Sequence, residues 1–429
     1  MKSLLILAAV LRLQDAVDAA LANNPAIAAV DARRGVAEAR LHESRAAWLP
    51  RVDASETMMR SDNPVFVFGS LLEQGRFDAR HFDPAFLNDP DALGNFRLAV
   101  NVRYTLFDQF RRLRTVEQAR NGVEQADLGG DETRQRIRAE GIARFYGVIL
   151  AAERRSVAAE AVHSAEADLA AMRDRFEQGL LVESDVLAAE VQLASFRQNL
   201  IEAESDLAIA NAALATLLHV SDATVDGRIP ERMPVAPAVE TAVASALNSR
   251  GEVRSAGTTA TNARLQWNVV RGSALPRVDT FASWGTSSSS LTGGDPDAAL
   301  GLVIAVDLFD PGRSARVAAA HSGIDAARAE EAAVRDRVTM EVVTAWHRAH
   351  AAGERIGLAT KSVESAETAN RIVRDRYEHG LTTITEHLRA QTALLAAKLA
   401  LLAARYDAVV HHAELMRATG GLHDVEEFH

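Results

Sequence analysis

The sequence predicts a mainly α-helical chain that also carries transmembrane β-strands and is built by duplication. Three observations predict this: two proline-free stretches far longer than an ordinary helix, short runs of two-residue alternation, and a set of motifs that occurs twice in one order. The 429 residues carry 47 basic and 58 acidic side chains, a net charge of −11, which argues against nucleic acid as a partner. Cysteine is absent, excluding disulfides, thiolate metal centres and a cysteine nucleophile. No apolar run approaches the roughly 18 residues of a spanning helix.

Residues 1–12, with Lys2 before an apolar stretch from Leu4 to Leu11, read as a shortened signal segment lacking a convincing cleavage site. The first repeat, 13–218, opens with short helices that stop at Leu49-Pro50. A non-helical section with a β-hairpin at about 52–107 follows. In it Phe96, Leu98, Val100, Val102, Tyr104 and Leu106 alternate with Arg97, Ala99, Asn101, Arg103 and Thr105. One apolar face of that length suits a tilted membrane strand, and the polar face suits water. A surface hairpin packing one face on the helices has the same pattern. Leu106-Phe107-Asp108 then leads into a long helix, 111–178, about 100 Å at 1.5 Å per residue, which Gly129-Gly130 is expected to loosen locally. The chain turns at Gly179 and returns as a helix over 184–218. There Leu193, Leu200, Leu207 and Leu214 stand seven apart, with Phe196, Ala203, Ala210 and Leu217 offset by three, as in an a/d seam. Pro230, Pro234 and Pro237 make 219–238 a linker.

The second repeat, 239–420, runs through the same order. Leu49-Pro50-Arg51-Val52-Asp53 recurs unchanged as Leu275-Pro276-Arg277-Val278-Asp279, and Leu106-Phe107-Asp108 as Leu308-Phe309-Asp310. Arg175-Phe176-Glu177-Gln178-Gly179-Leu180 recurs as Arg376-Tyr377-Glu378-His379-Gly380-Leu381. The second hairpin falls at about 278–308, with Leu300, Leu302, Ile304, Val306 and Leu308 alternating. The second long helix is 312–379, its return helix 383–418, and 421–429 form a tail. That return helix bears two apolar stripes, one through Leu394, Leu401, Ala408 and Leu415, the other through Leu388, Leu395, Leu402 and Val409. Two apolar faces imply neighbours on both sides, as in a closed α-barrel, whereas an isolated antiparallel coiled coil needs one. Four strands cannot close a β-barrel, and open edges are not tolerated in lipid. Copies must therefore pool strands, eight from two chains or twelve from three.

With these signals in place, the chain resembles the TolC family of outer-membrane efflux and secretion channels over about residues 11–420. The carriers are Leu13-Gln14-Asp15-Ala16-Val17 through Asn23-Asn24-Pro25, the duplicated Leu-Pro and Leu-Phe-Asp signals and both Gly-Leu tips. The resemblance implies a homotrimer whose twelve-stranded barrel crosses the outer membrane of a Gram-negative bacterium and its lipid, with the α-barrel in the periplasm. It implies a passive conduit for efflux or type I secretion, docked on a periplasmic adaptor and an inner-membrane pump of RND, ABC or MFS type. Gln178, Gly179, Leu180, His379, Gly380 and Leu381 match the family's adaptor-docking turns, although the left-handed end of a helix also calls for glycine. Asp185 and Tyr377 match a hydrogen-bonded latch, thinned here because Thr382 stands where the best-known latch has Arg. Glu386 matches an acidic gate position and Arg389 replaces a second acid; an ordinary i,i+3 pair reads equally well. By position 61–95 is an extracellular loop expected to fold over the mouth, and 288–298 is its short counterpart.

An enzyme would need a convergent constellation. The sequence has no phosphate-binding Gly-rich loop, no Gly-x-Ser-x-Gly and no His-Glu-x-x-His, so no catalytic residue, cofactor or metal site is expected. His347, His350, His411 and His412 read as scattered surface residues. The reading from another class is a periplasmic or soluble coiled-coil scaffold with no pore.

Overall fold

A computed structural model describes residues 11–425 and Phe428, so the signal segment read over 1–12 lies outside the described residues for its first ten positions. Leu11 and Arg12 belong to the folded body: Leu11 bridges Val225 in parallel, and Arg12 precedes the first helix. In chain order the elements are α1 (Leu13–Asn23), α2 (Pro25–Ala46), β1 (Arg51–Ser61), α3 (Pro64–Glu73), α4 (Pro84–Asn88) and β2 (Leu93–Phe107). Next come α5 (Arg111–Glu177) and α6 (Glu183–Leu218), which close the first repeat. The second consists of α7 (Val239–Ser249), α8 (Gly251–Gly272), β3 (Arg277–Ser288), β4 (Asp295–Ala305), α9 (Arg313–Glu378) and α10 (Ile384–Ala418). The duplication is thus carried in the order of elements.

The long helices begin where the Leu-Phe-Asp signal says, and the aspartate is the reason. The Asp108 carboxylate accepts from the Arg112 amide at 2.7 Å, and Asp310 accepts from the Gly312 amide at 3.1 Å. The first satisfies a donor that the opening turn of α5 leaves unpaired, and the second fixes the turn just ahead of α9. Gln109 and Phe110, just before α5, both have φ of 63°, an uncommon conformation for non-glycine residues. The Gln109 side chain donates to the Leu275 carbonyl, tying this turn to the second Leu-Pro stop.

Two compact units cut across the repeats. One comprises residues up to Arg34, Gln125–Gly257 and Ala329 onward; the other comprises Gly35–Glu124 and Thr258–Arg328.

The first unit is helical. One core gathers Leu13, Val17, Ile137, Ile142, Phe145, Leu214, Leu218 and Val409 around the start of α1. The residues read as a tail are part of it: Leu422, Val425 and Phe428 are buried, and the Tyr146 hydroxyl donates to the Phe428 carbonyl. Burial pushes the Tyr146 phenol up to about 12. His412 is likewise buried against Phe428 rather than on the surface, because a helix that packs on two faces has little surface left. The expected loosening at Gly129-Gly130 does not occur. The helix runs through, and a Cβ on Gly130 would stand 2.9 Å from Val30 Cγ1, so the small residue serves close approach of α2.

A second feature of this unit is ionic. Arg250 is 3% exposed, and its guanidinium lies 2.7 Å from Glu341, 3.1 Å from Glu252 and 3.6 Å from Glu132. Arg417 shares the acids, at 2.6 Å from Glu341 and 3.2 Å from Glu132. Burial pushes the Glu341 carboxyl up, but hydrogen bonds from Arg250 and Arg417 outweigh it and hold the group below its ordinary value.

The second unit contains one antiparallel sheet in the order β1-β2-β3-β4, which leaves β1 and β4 as edges. Strand β4 spans Asp295–Ala305 rather than running to Leu308: Val306 and Leu308 lie beyond it, and the Arg313 side chain takes the Asp307 carbonyl instead. The counterpart loop is correspondingly shorter. The first section is also not wholly non-helical. Asn63 accepts from the Val65 and Phe66 amides at 3.0 and 3.2 Å with Pro64 at the first helical position, which starts α3 inside the long loop.

Removing Arg250 leaves Glu341 and Glu132 to Arg417 alone, and breaking a buried ion pair typically costs about 3–5 kcal/mol, an upper figure for so shared a network. Arg250→Ala should therefore lower the thermal midpoint of the purified protein markedly, and an unchanged midpoint would show the network to be ornamental. Glu341 has a depressed folded pKa, so its contribution is complete above its unfolded value of about 4.3 and fades as pH falls through the folded one.

Candidate lumen and helical tips

Pleating sorts the sheet of the second unit into two chemically different faces. One carries Val52, Ala54 and Met58 of β1, Leu98, Val100 and Val102 of β2, Ala282 and Trp284 of β3, and Leu300, Leu302 and Ile304 of β4. Register places them on one side: Val52 opposite Val102, Val100 opposite Trp284, Trp284 opposite Ala298. Val52, Met58, Leu98, Trp284, Leu300, Leu302 and Ile304 are exposed, an apolar sheet surface left uncovered among the described residues. Its charged members are Glu56 and Arg60, on edge strand β1, and Thr280, Thr286 and Ser288 of β3 add hydroxyls.

The other face carries the sheet's ion pairs and side-chain hydrogen bonds, with Met59, Phe281 and Val303 as its exposed apolar members. Asp53 accepts from Asn101 at 3.2 Å and from Arg103 at 2.5 Å, and Thr105 donates to Asp279 at 2.6 Å. Arg97 makes two bonds to Asp297, at 2.6 and 2.7 Å. These bonds fix rotamers across neighbouring strands and leave a face that water can wet. Asn101 and the arginines, singled out in the sequence, all lie on it.

In the first unit the two tips are near copies. Gly179 and Gly380 have φ of 74° and 71°. The Gly179 amide donates to the Phe176 carbonyl at 2.8 Å and the Leu180 amide to Arg175 at 2.9 Å. The second tip does the same at 3.0 and 2.7 Å. This paired 6→1 and 5→2 pattern closes each helix on a left-handed residue. A Cβ at either glycine would meet nothing, so backbone conformation and not space selects glycine. Leu180 and Leu381 are exposed, as is Gln178, and His379 Nδ1 lies 2.8 Å from the Asp375 carbonyl.

The other site residues separate into a contact and a non-contact. Glu386 and Arg389 form the plain i,i+3 ion pair, 3.2 Å apart and exposed. Tyr377 and Asp185 form no hydrogen bond: the Tyr377 hydroxyl is buried without a partner among the described residues, and its ring stacks on His387 at 5.2 Å and 1°. The Arg175 guanidinium stands 5.7 Å from that ring without hydrogen-bond geometry to the hydroxyl. Burial pushes the phenol up, and the nearby Asp185 charge adds to this.

His387 was missed in the sequence. It is 1% exposed, with Nε2 3.3 Å from Asp168 Oδ2, while Gln391 donates to the same oxygen. A carboxylate only accepts, so Nε2 carries the hydrogen; Nδ1 is buried without a partner among the described residues. Burial pushes the Asp168 carboxyl up, but the bonds from His387 and Gln391 hold it below its ordinary value. Leu388 and Leu395 marked the apolar stripe there, and a histidine inside that seam gave no spacing signal of its own.

Antiparallel α5 and α6 are laced by Arg173–Glu190 at 2.6 Å and Arg197–Glu166 at 2.7 Å. Gln192 donates to Thr392 at 2.9 Å, so α6 and α10, equivalent helices of the two repeats, lie side by side. Leu187, Val191, Ile201 and Ile209 of α6 remain exposed.

Among known proteins, the model of the outer membrane efflux protein family matches residues 16–219 and 242–421. The outer membrane efflux protein BepC of Brucella suis is 24% identical over 330 residues, 75% of this chain and 72% of that one. The outer membrane protein VceC of Vibrio cholerae superposes with a TM-score of 0.78 at 20% identity, covering 95% of this chain and 96% of that one. The CmeC outer membrane channel of Campylobacter jejuni gives 0.80 at 18% identity, covering 95% and 85%.

The depressed Asp168 carboxyl gives stability that is complete above its unfolded pKa of about 3.9 and is lost as pH falls through the lower folded value. Asp168→Asn should flatten that acid limb in a plot of thermal midpoint against pH. A variant that keeps the limb unchanged would assign it to other carboxylates.

Proposed function

The chain belongs to the outer membrane efflux protein family, and from that premise we propose that it is the exit duct of a three-part export assembly. It is an outer-membrane channel and not an enzyme, with its helical part in the periplasm. On this reading three copies pool twelve strands into one barrel. A periplasmic adaptor docks on the tips, and an energised inner-membrane pump delivers the substrate. The observation that carries it is the four-stranded sheet with one uncovered apolar face, one self-paired polar face and two free edges. In lipid the free edges would each strand a row of backbone donors and acceptors, so neighbouring copies must supply the partner strands. A pore-free scaffold has no use for such a sheet.

The polar face lines the duct, and its cross-strand pairs keep charge fixed to the wall. Transport through such a conduit is diffusion down the gradient that the pump maintains, so the lumen needs water and no binding site. The exposed Leu180 and Leu381 offer the adaptor an apolar foothold at each Gly turn. Glu386 with Arg389 places a neutralised pair on α10 near the tip, while Tyr377 and Asp185 supply the closing element. In the isolated protomer the Tyr377 hydroxyl is left with unused bonding capacity.

Purified in detergent, the protein should run as a heat-sensitive trimer and conduct ions in planar bilayers. A monodisperse monomer in plain buffer would overturn the channel reading. Tyr377→Phe combined with Asp185→Ala should raise single-channel conductance, and unaltered conductance would remove both residues from the closing element.

Gly179→Leu with Gly380→Leu meets open space, so the cost is backbone strain of about 1–2 kcal/mol at each turn, too little to unfold such long helices. Trimers should survive while efflux, measured as drug susceptibility of cells, is lost. Disappearance of the trimer would return both glycines to a purely structural role.

A further inference from the structure

The helical unit ends in two hairpins, α5 with α6 and α9 with α10, each turning at its glycine tip. Arg173–Glu190 laces the first at 2.6 Å, and Arg355–Asp407 laces the second at 3.4 Å. A duct that ends in these tips widens when the hairpins part, so the bonds between hairpins set how readily it opens. Followed toward the tips, they are Lys398 with Glu160 at 3.3 Å, Gln192 with Thr392 at 2.9 Å, and His387 with Asp168 at 3.3 Å. The first two are exposed ties. The third is buried: His387 is 1% exposed, in a stretch of α10 whose Ile384 and Leu395 belong to the apolar core near the tips.

This buried tie is incomplete in a way that a proton would change. Asp168 accepts from His387 Nε2 and from Gln391, while His387 Nδ1, Gln391 Oε1 and the Tyr377 hydroxyl are buried without partners among the described residues. Imidazole is the side chain that changes charge between about pH 5 and 8. A second proton on the His387 ring turns its bond to Asp168 into an ion pair, and charge-assisted bonds are roughly twice as strong as neutral ones. That proton also makes Nδ1 a donor, in a cluster whose other two unpartnered atoms can both accept. The surrounding charges favour this. From α5 come Asp168 and Arg175, the latter 5.7 Å from the Tyr377 ring. Arg374 of α9 acts on Asp168 and is itself 3.0 Å from Glu378, and Asp185 of α6 acts on Tyr377. On α10, Glu386 and Arg389 neutralise each other. Asp168 is the one charge within bonding distance of the ring among the described residues.

We propose that His387 and Asp168 form a proton-operated clasp between the two hairpins, which tightens the periplasmic end of the duct as its surroundings acidify. The inference rests on the duct reading and adds to it a gating residue that titrates. Stacking of the Tyr377 ring on the imidazole, at 5.2 Å, extends the clasp from α10 to α9, so one protonation holds both helices of the second hairpin to α5.

In planar bilayers the trimer should conduct severalfold less at about pH 5.5 than at about pH 7.5, either side of ordinary imidazole titration. Asp168, held below the usual carboxylate value, stays ionised across that window. His387→Gln still donates to Asp168 but cannot titrate; it should lose the difference and stay near the wild-type conductance of the higher pH. His387→Leu, which omits the bond, should conduct more at both. His379→Gln, at an exposed tip, should keep the full response. Acid closure that persists in His387→Gln, or a wild type indifferent to pH, would overturn the clasp. Because the chain has no cysteine, spin labels on Leu180→Cys and Leu381→Cys also report the separation of the tips by dipolar EPR spectroscopy, with no current needed. Acid should shorten that separation with His387 in place and leave it unchanged in His387→Gln; equal behaviour of the two would again overturn the clasp. Heat-stable trimers that conduct at neither pH would overturn the duct reading instead.

Discussion

A backbone amide or carbonyl in hydrocarbon has no water to bond with, and much of this structure answers to that constraint. The sheet satisfies its interior strands and leaves β1 and β4 unpaired along their outer sides. Its apolar face is exposed in the single chain, and lipid is a solvent in which it can stay so. Strand-to-strand closure with other copies is the arrangement that satisfies both the edges and the face. The charges at Glu56 and Arg60 sit on the edge strand, where they disfavour pairing with arbitrary partners.

The helices solve a different problem. Helices of 67 and 66 residues cannot be stabilised by one globular core. They are held instead by repeating seams: leucines and alanines at seven-residue intervals, with arginine–glutamate pairs beside them. Such exposed pairs contribute little each, about 0–1 kcal/mol, and their value lies in fixing register. Where the two repeats meet, the buried Arg250 network and the Leu13–Phe145–Leu218 core lock short helices onto the long ones. The duplication makes α6 and α10 neighbours, so one helix-packing solution is used twice.

The polar face pairs its charges internally, which suits a wall past which solutes move without being held. The tips combine a conformation only glycine adopts freely with exposed leucines, a geometry that presents apolar surface at a sharp turn. Around Tyr377 the packing is less complete, with the phenol, His387 Nδ1 and Gln391 Oε1 all buried without partners among the described residues.

The sequence by itself determined the long helices, the duplication, the strands and the turn glycines, because each is a local matter of proline placement, apolar period or backbone conformation. Pro230, Pro234 and Pro237 break helices wherever they fall, and a period of two makes Leu98 and Val100 share a face in any context. Tertiary structure alone decided that His387 is buried, that Leu422, Val425 and Phe428 join the core, and that Tyr377 stacks rather than bonds to Asp185. It also decided that β4 ends at Ala305 and that α3 lies on the polar face. Those outcomes depend on which distant surfaces compete for the same side chain, and pairs such as Asp168 with His387 leave no trace in the spacing of either segment.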